Sequence, residues 1–313
     1  MAQKKVVYLL ALLYAFLIGF SFLFTKLTLA FASPVDTMAY RFTISFLLLG
    51  VPVAAGWIKL GLRGRQLWRL LPVGLVYPGL FFGLQAGGLE FATSSEGGIF
   101  QASAPIFTML LAALFLKERT TWLQRLSVAC SVAGVVFMIA MAGAKISASH
   151  IQGIVLLLAS ALMLSIYSVL ARSLSRSYTP IQLTFAMMLF GFVSFAGLSI
   201  GQHAVRGYWD ALTEPLSHPS FVWGILYIGI LSSLVTALLS NYILSKIEAS
   251  RMSVFVNLGT LMAILGGVVF LKETLAYYHI IGAAMIIAGV LGANIQPRKR
   301  KMKAASSIGG QTA

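Results

Sequence analysis

The chain has 313 residues, of which 59% are hydrophobic and only 10% are charged, and its mean hydropathy is +0.90. A soluble domain of this length needs a charged exterior of about a quarter of its residues, so the composition excludes an ordinary soluble protein. The net charge of +15 would favour nucleic acid as a partner of a soluble protein. In a membrane protein it indicates basic cytoplasmic loops instead, and no nucleic acid is expected.

Apolar stretches recur almost from end to end, and each is long enough to cross about 30 Å of hydrocarbon as a helix. They are continuously apolar rather than alternating, which favours helices over the strands of a barrel. The sequence therefore predicts an all-α membrane protein with ten transmembrane helices, near residues 6–27, 36–56, 70–90, 96–116, 122–142, 151–171, 180–201, 221–244, 250–271 and 276–295. Pro78 and Pro105 predict kinks within the third and fourth spans.

The basic residues predict the orientation. Ten spans place both termini on one side, and if that side is the cytoplasm, 18 of the 23 basic residues lie in cytoplasmic segments. This bias follows the positive-inside rule, so we expect a multi-pass protein of the cell (plasma or inner) membrane with both termini cytoplasmic. The basic residues outside these segments are Lys26, Arg41, Lys145, Arg206 and Lys272.

The chain also repeats itself. Residues 93–139 align with 248–294 at an offset of 155 with eleven identities in 47 positions, including the run Phe-Leu-Lys-Glu that ends at Glu118 and again at Glu273. Because a unit of five spans is odd, the second copy must enter the membrane from the opposite face. The prediction is two inverted five-helix repeats, residues 1–145 and 146–296, followed by a basic cytoplasmic tail, 297–313. Such repeats are typical of transporters that open a central site to each side in turn.

Several of these segments resemble a known family. They are Thr93-Ser94-Ser95, Ser103-Ala104-Pro105, the two Phe-Leu-Lys-Glu runs and Arg41-Phe42. Together they resemble the EamA-type branch of the drug/metabolite transporter (DMT) superfamily over roughly residues 6–295. The resemblance implies ten spans, a central cavity between the halves and the transport of small metabolites. It marks Glu118, Glu273 and Pro105 as motif residues, to which we assign a structural role.

Polar side chains on the apolar spans are candidates for lining a substrate cavity. Hydroxyls recur at equivalent places on the first and sixth spans, and amides recur in both halves. The predicted cavity residues are Tyr14, Ser21, Tyr77, Gln85, Gln101, Ser160, Tyr167, Asn241 and Asn257. Hydrogen bonding between helices is the alternative explanation for each of them. If they face a cavity, they suit a neutral or zwitterionic substrate better than a polyanion.

Ionisable side chains within a membrane are costly unless they are paired or hydrated, which makes Glu96, Lys26 and Arg41 candidates for coupling or gating. All three fall near the predicted outer ends of their spans, where a long side chain can reach water. Glu96 could couple transport to protons, or could simply begin a helix. The dispersed histidines and the single cysteine predict no metal site. No phosphate-binding loop or nucleophile–base pair is apparent, so no cofactor and no catalytic site are expected.

Together these features predict a secondary transporter, not an enzyme, that exports amino acids or related neutral compounds by alternating access. Two alternatives remain open: an organic-anion or phosphate exchanger, and a membrane sensor or accessory subunit that transports nothing. The expected partners are the lipid bilayer, a small-molecule substrate and protons as a candidate coupling ion, with the chain acting as a monomer or a homodimer.

Overall fold

The computed structural model describes residues 2–62, 64–115, 122–142, 147–247 and 249–294, and within these ranges the chain is helical, with short connections. Glu118 and the predicted tail, 297–313, lie outside the described residues. The helices are α1 (Ala2–Leu29), α2 (Pro34–Ala54), α3 (Gly64–Gly74), α4 (Phe81–Phe91), α5 (Ser94–Gln101), α6 (Ala104–Phe115), α7 (Trp122–Ala142), α8 (Ala148–Leu174), α9 (Pro180–Arg206), α10 (Asp210–Thr213), α11 (Pro219–Leu226), α12 (Thr236–Lys246), α13 (Ala249–Phe270) and α14 (Tyr277–Asn294).

Six helical stretches of the described chain are long and apolar enough to cross a membrane by length and composition. They are Val6–Leu29, Pro34–Ala54, Gln66–Phe91, Ala148–Leu174, Pro180–Arg206 and Pro219–Lys246. Shorter apolar helical stretches occur at Arg125–Met138, Leu258–Phe270 and Tyr277–Gly289. The remaining predicted span, near 96–116, corresponds to α5 and α6, which are separated by a turn just before Pro105.

Helices α2 and α9 begin in the same way because their first residues satisfy the same backbone donors. Ser33 and Thr179 are the N-cap residues, and each is followed by a proline at the first helical position. The Ser33 hydroxyl accepts from the backbone N–H of Asp36 at 3.2 Å. The Thr179 hydroxyl accepts from that of Gln182 in a capping box. Proline at this position costs no hydrogen bond, so both sequences fix where a span starts.

Two spans are irregular at their middles. Between α3 and α4 the chain forms a first π segment, Leu75–Leu80, in which Tyr77 has an extended backbone (φ −141°, ψ 111°) and the Tyr77–Pro78 peptide bond is cis. Between α11 and α12 it forms a second π segment, Tyr227–Val235. Such wide turns leave backbone groups without their usual helical partners, and they occur frequently at functional sites.

Close pairs of helices hold the bundle together. Helix α1 packs on α13, α2 on α9, α4 on α8 and α7 on α14. Glycines permit the closest approaches: a Cβ on Gly19 of α1 would collide with the backbone of Gly259 on α13. A Cβ on Gly134 of α7 would lie 2.8 Å from the carbonyl oxygen of Gly282 on α14. Small residues at helix contacts are typical of membrane bundles, where packing replaces the hydrophobic effect.

The distribution of side chains suits a lipid environment. Large apolar side chains are exposed on the outside of the bundle, among them Leu9, Val193 and Ile280, whereas many hydroxyls and several charged groups are buried inside. Exposing an apolar side chain to water is unfavourable, whereas exposing it to the hydrocarbon of a bilayer costs nothing. With six helices long enough to span a bilayer, this arrangement is that of a multi-pass membrane protein.

Candidate functional site

A small cleft lies where α1, α6, α8, α12 and α13 meet. Its lining includes Tyr14, Thr108, Tyr167, Ser240 and Met252, so hydroxyls and aromatic rings face the same space. The cleft is narrow. Its cavity volume is about 10 Å³, which is room for roughly one water molecule. Hydroxyl groups of α1, α6, α8 and α12 therefore line a space of that size.

Tyr167 organises the cleft from its α8 side. Its hydroxyl donates to Asn241 Oδ1 at 3.1 Å and lies 2.8 Å from Ser240 Oγ. The Asn241 amide donates onward to the Thr184 hydroxyl at 3.0 Å. The Tyr167 ring stacks on Tyr77, with 4.2 Å between the ring centroids. Of the predicted cavity residues, Tyr77, Tyr167 and Asn241 thus form one connected group, and Tyr14 lines the same cleft as Tyr167.

Other predicted cavity residues lie elsewhere in the bundle. The hydroxyls of Ser21 and Ser160 donate to carbonyl groups of their own helices, at 2.6 and 2.7 Å. Gln85 and Gln101 are buried, and neither side-chain amide nitrogen has a hydrogen-bond partner among the described residues. A buried unpaired amide is costly, so these two donors need a water, a ligand or a rearrangement to satisfy them. Asn257 lies on α13, but its side chain is outside the described part of the chain.

Arg41 lies deeper than its place on α2 suggests. Its side chain is fully buried, and the guanidinium donates to Ser232 and Ser233 in the second π segment. These serines are near the middle of the Pro219–Lys246 span. The sequence predicts a position near the outer end of a span, but the long side chain extends inward rather than toward water.

Glu96 lies at the end of the bundle where α1 and α4 end and α5, α8 and α14 begin, here named the Glu96 end. Its Oε2 accepts from the backbone N–H of Thr93 at 2.8 Å, completing a capping box at the start of α5. Its Oε1 lies 3.1 Å from His150 Nε2 and 3.4 Å from His279 Nε2. Histidines that are dispersed in sequence therefore meet on one carboxylate.

The remaining contacts of the two imidazoles orient their rings toward Glu96. His279 Nδ1 accepts from the backbone N–H of Ala276 at 3.2 Å, so its Nε2 carries the hydrogen that points at Glu96. His150 Nδ1 lies 3.3 Å from the carbonyl oxygen of Phe91. Among the described residues, no group of three His, Cys, Asp or Glu side chains could hold a metal ion.

Two further charged residues join helices at the Glu96 end. Glu273, in the connection after α13, accepts from the backbone N–H groups of Ser94 and Ser95 at 2.7 and 3.0 Å. It thereby caps α5 from a distant part of the chain, where a carboxylate is favoured by the helix dipole. The Lys26 ammonium donates to the carbonyl oxygens of Leu89 and Ala92 at 2.5 and 2.8 Å and so binds the end of α4.

One buried ionisable group is absent from the sequence-based candidates. Asp36 Oδ1 accepts from the Ser199 hydroxyl at 2.5 Å and lies 3.0 Å from His203 Nε2, which joins α2 to α9. His203 Nδ1 faces the carbonyl oxygen of Tyr208 at 2.7 Å. The only sequence signal is an acidic residue in the first turn of an apolar span. The pairing itself is invisible because the partners are more than 160 residues apart in the chain.

Comparisons with known proteins identify the family. The model of the EamA-like transporter family matches the chain twice, at residues 5–140 and 151–295. The chain is 44% identical over 298 residues to the uncharacterized transporter YcxC of Bacillus subtilis, covering 95% of this chain and 96% of that protein. It is also 27% identical over 205 residues to a Streptantibioticus cattleyicolor protein named "Probable terminal-alkyne amino-acid exporter", covering 66% of this chain and 65% of that one.

A solved crystal structure shares the fold. It aligns with a TM-score of 0.58 at 20% sequence identity and covers 90% of this chain and 96% of that one. The two family matches together span almost all of the chain, and the chain is 44% identical to YcxC. One conclusion follows from these similarities. The chain belongs to the EamA-like transporter family of the drug/metabolite transporter superfamily and is a membrane transporter.

Proposed function

We propose that this transporter exports amino acids or related neutral metabolites across the cell membrane by alternating access, without a catalytic step. The observation that carries the proposal is the cleft between Tyr14 and Tyr167, which belong to the two predicted halves of the chain. Its hydroxyls and aromatic rings offer hydrogen bonds and apolar contact to a small zwitterion. The name of the amino-acid exporter from Streptantibioticus cattleyicolor supports both the substrate class and the direction.

The proposed architecture is ten transmembrane helices in two inverted five-helix repeats, residues 1–145 and 146–296. Three observations support it. The family model matches each half separately. The Ser-Pro and Thr-Pro starts of α2 and α9 are 146 residues apart, and the same offset relates Tyr14 and Ser21 of the first span to Ser160 and Tyr167 of the sixth. The two π segments lie at the middle of the third span of each proposed repeat.

The proposed orientation places both termini in the cytoplasm and the Glu96 end outside. The distribution of the basic residues supports it, because 18 of 23 then lie in cytoplasmic segments. The structure then corresponds to a state whose outer end is closed by Glu273, Lys26 and Glu96. The surrounding partner would be the bilayer, with the chain working as a monomer or a homodimer.

Protons are the proposed coupling ion, and Glu96 is the proposed site. The carboxylate is buried. His150 lies within hydrogen-bond distance of it, and His279 lies beside it. A proton on this carboxylate would remove its negative charge and so weaken its contact with the His279 Nε2–H, which joins α5 to α14. Transport driven by a pH gradient should disappear in Glu96→Gln, while substrate exchange without a gradient should persist. A Glu96→Gln variant that still responds to the gradient would rule out this role.

The experiment that tests the function is counterflow in proteoliposomes, with a panel of neutral amino acids measured with and without a pH gradient. We expect saturable exchange of at least one of them. The double variant Tyr14→Ala/Tyr167→Ala should abolish it, whereas the matched control Tyr277→Ala, which changes an exposed tyrosine, should not. Exchange that survives in the double variant would place the substrate elsewhere. Folded protein that exchanges none of the panel would refute amino-acid transport and favour an organic anion or a non-transporting role.

A further inference from the structure

A guanidinium is buried at the centre of the bundle. Arg41 has no exposed surface, and its head group lies between the second π segment and α4. On one side its Nε donates to Ser233 Oγ at 2.5 Å and its Nη2 donates to Ser232 Oγ at 2.9 Å. On the other side its central carbon lies 3.9 Å from the centroid of the Phe82 ring.

These contacts satisfy only part of the guanidinium. Its three hydrogen bonds come from Nε and Nη2, the third being Nη2 to the carbonyl oxygen of Ser232 at 3.1 Å. A guanidinium has five N–H donors, and Nη1, which carries two of them, is buried without a partner in the described part of the chain. The nearest acidic residue on the same helix, Asp36, is engaged by Ser199 and His203 instead.

The arginine also lacks a counter-ion. No carboxylate of the described residues lies within 4.0 Å of its nitrogens. Because a guanidinium does not lose its proton in proteins, it cannot escape the cost of burial by becoming neutral. A buried charge is normally paired, and leaving one unpaired is strongly unfavourable. An anion that enters the bundle would therefore be attracted to this position.

Aromatic rings connect Arg41 to the cleft. Phe82, which lies under the guanidinium, is 5.0 Å from Tyr77 between ring centroids, and Tyr77 stacks on Tyr167 at 4.2 Å. Tyr167 lines the cleft together with Tyr14. A substrate in an opened cleft would meet hydroxyls at one side, aromatic faces in between and the free Nη1 donors beyond them.

We infer that Arg41 binds the carboxylate of the transported substrate through Nη1, which defines the substrate class as molecules with one carboxylate, α-amino acids among them. One free nitrogen at the end of an aromatic row suits a single planar anionic group. A polyanion such as a phosphate ester needs several cations or backbone donors together. This inference deepens the proposed function and rests on it.

A purely structural role would account for some of the same contacts. The serines that Arg41 binds lie in the second π segment, and the arginine could serve only to hold that segment against α2. The two roles use different nitrogens: Nε and Nη2 hold the segment, whereas Nη1 is free for a ligand. Variants that change the contacts of Nε or Nη2 without changing Nη1 therefore distinguish the two roles.

The test compares each amino acid with its own amide, in which the carboxylate is replaced by an uncharged group of the same size. The probes are leucine, phenylalanine and threonine, each beside leucinamide, phenylalaninamide or threoninamide, in competition counterflow and in a thermal-shift binding assay. For the transported pair we expect the wild-type protein to bind the acid about 100-fold more tightly than the amide, the usual effect of removing one partner of a buried charged pair.

Three variants distinguish the roles. Arg41→Gln should weaken the acid about 100-fold, leave the amide unchanged and so abolish the preference. Arg41→Lys keeps the charge but not the geometry of Nη1, so the preference should shrink about 10-fold; it also replaces the first variant if that one does not fold. Ser233→Ala removes the acceptor of Nε and leaves Nη1 intact, so it should keep the full preference even if the protein melts earlier.

The outcomes separate this inference from the proposed function. Equal affinity for acid and amide in a wild-type protein that transports the acid would overturn the role of Arg41 and leave amino-acid transport standing. Loss of the preference in Ser233→Ala to the same extent as in Arg41→Gln would favour the structural role. If no amino acid binds, benzoate and benzamide replace the pairs. Benzoate binding that is lost in Arg41→Gln would support the carboxylate site without amino-acid transport. If neither benzoate nor benzamide binds, the role of Arg41 and amino-acid transport are both refuted.

Discussion

Replacement of Glu273 by glutamine tests what holds the Glu96 end closed. The Glu273 carboxylate accepts three hydrogen bonds from the start of α5: two from the backbone of Ser94 and Ser95, and one from the Ser95 hydroxyl at 2.5 Å. Glutamine has the same shape, but its amide group has one accepting oxygen and carries no charge. Its nitrogen would point a donor at a backbone donor, so at least one bond is lost.

The magnitude follows from those contacts. A hydrogen bond to a charged group contributes about 1.5–3 kcal/mol. A carboxylate at a helix N-terminus adds about 0.3–1 kcal/mol. Because Glu273 is half-buried, we take the low end and expect Glu273→Gln to destabilise the closed end by about 2 kcal/mol. That free energy corresponds to a roughly 30-fold rise in the population of molecules whose Glu96 end is open.

Cysteine labelling measures this population. In a Cys130→Ala background, Gln101→Cys places a thiol at a position that is buried in the closed bundle, at the far end of α5. The rate of maleimide labelling in detergent should rise about 30-fold when Glu273→Gln is added. The matched control is Glu90→Gln, which removes the same charge from an exposed residue at the same end and should leave the rate unchanged. Equal rates in the two variants would refute the reasoning.

Three other substitutions test the remaining contacts. Tyr167→Phe removes the hydroxyl bond to Asn241 and should raise the KM of counterflow about fivefold, for a loss of about 1 kcal/mol; an unchanged KM would separate Tyr167 from the substrate. Asp36→Asn breaks a buried pair with His203 and should lower the free energy of unfolding by about 3 kcal/mol, seen as a lower Tm in detergent; an equal Tm would show that the pair is dispensable. Lys26→Met should cost about 1.5 kcal/mol because it frees the carbonyl groups at the end of α4, and a Tm equal to that of the wild type would contradict this.

Much of the helical architecture can be predicted because long apolar runs and basic connections are local features of a sequence. The starts of α2 and α9 are encoded by Ser33-Pro34 and Thr179-Pro180, and the break before α6 coincides with Pro105. The second π segment has no such signature. It contains no proline, and its widened turns depend on side chains contributed by other helices.

The site is only partly predictable for the same reason. Tyr14 and Tyr167 could be selected because polar residues recur on two related spans, and both line the cleft. The depth of the Arg41 guanidinium could not be predicted. A sequence indicates where a residue lies along a span, but not the direction in which its long side chain extends. The contacts of Glu96 with His150 and His279 depend on three helices meeting, and pairing across helices leaves no mark in a single sequence.

The second π segment has a consequence for how its span can move. A π turn contains one residue more than an α turn, and adding or removing one residue turns the helix beyond it by about 100° and shifts it by about 1.5 Å. Passing that extra residue along the chain would rotate α12 against its neighbours without unfolding either end of the span. Ser232 and Ser233 would rotate with it, so their hydrogen bonds with Arg41 would change. The same rotation and shift would change which face of α12 lines the cleft.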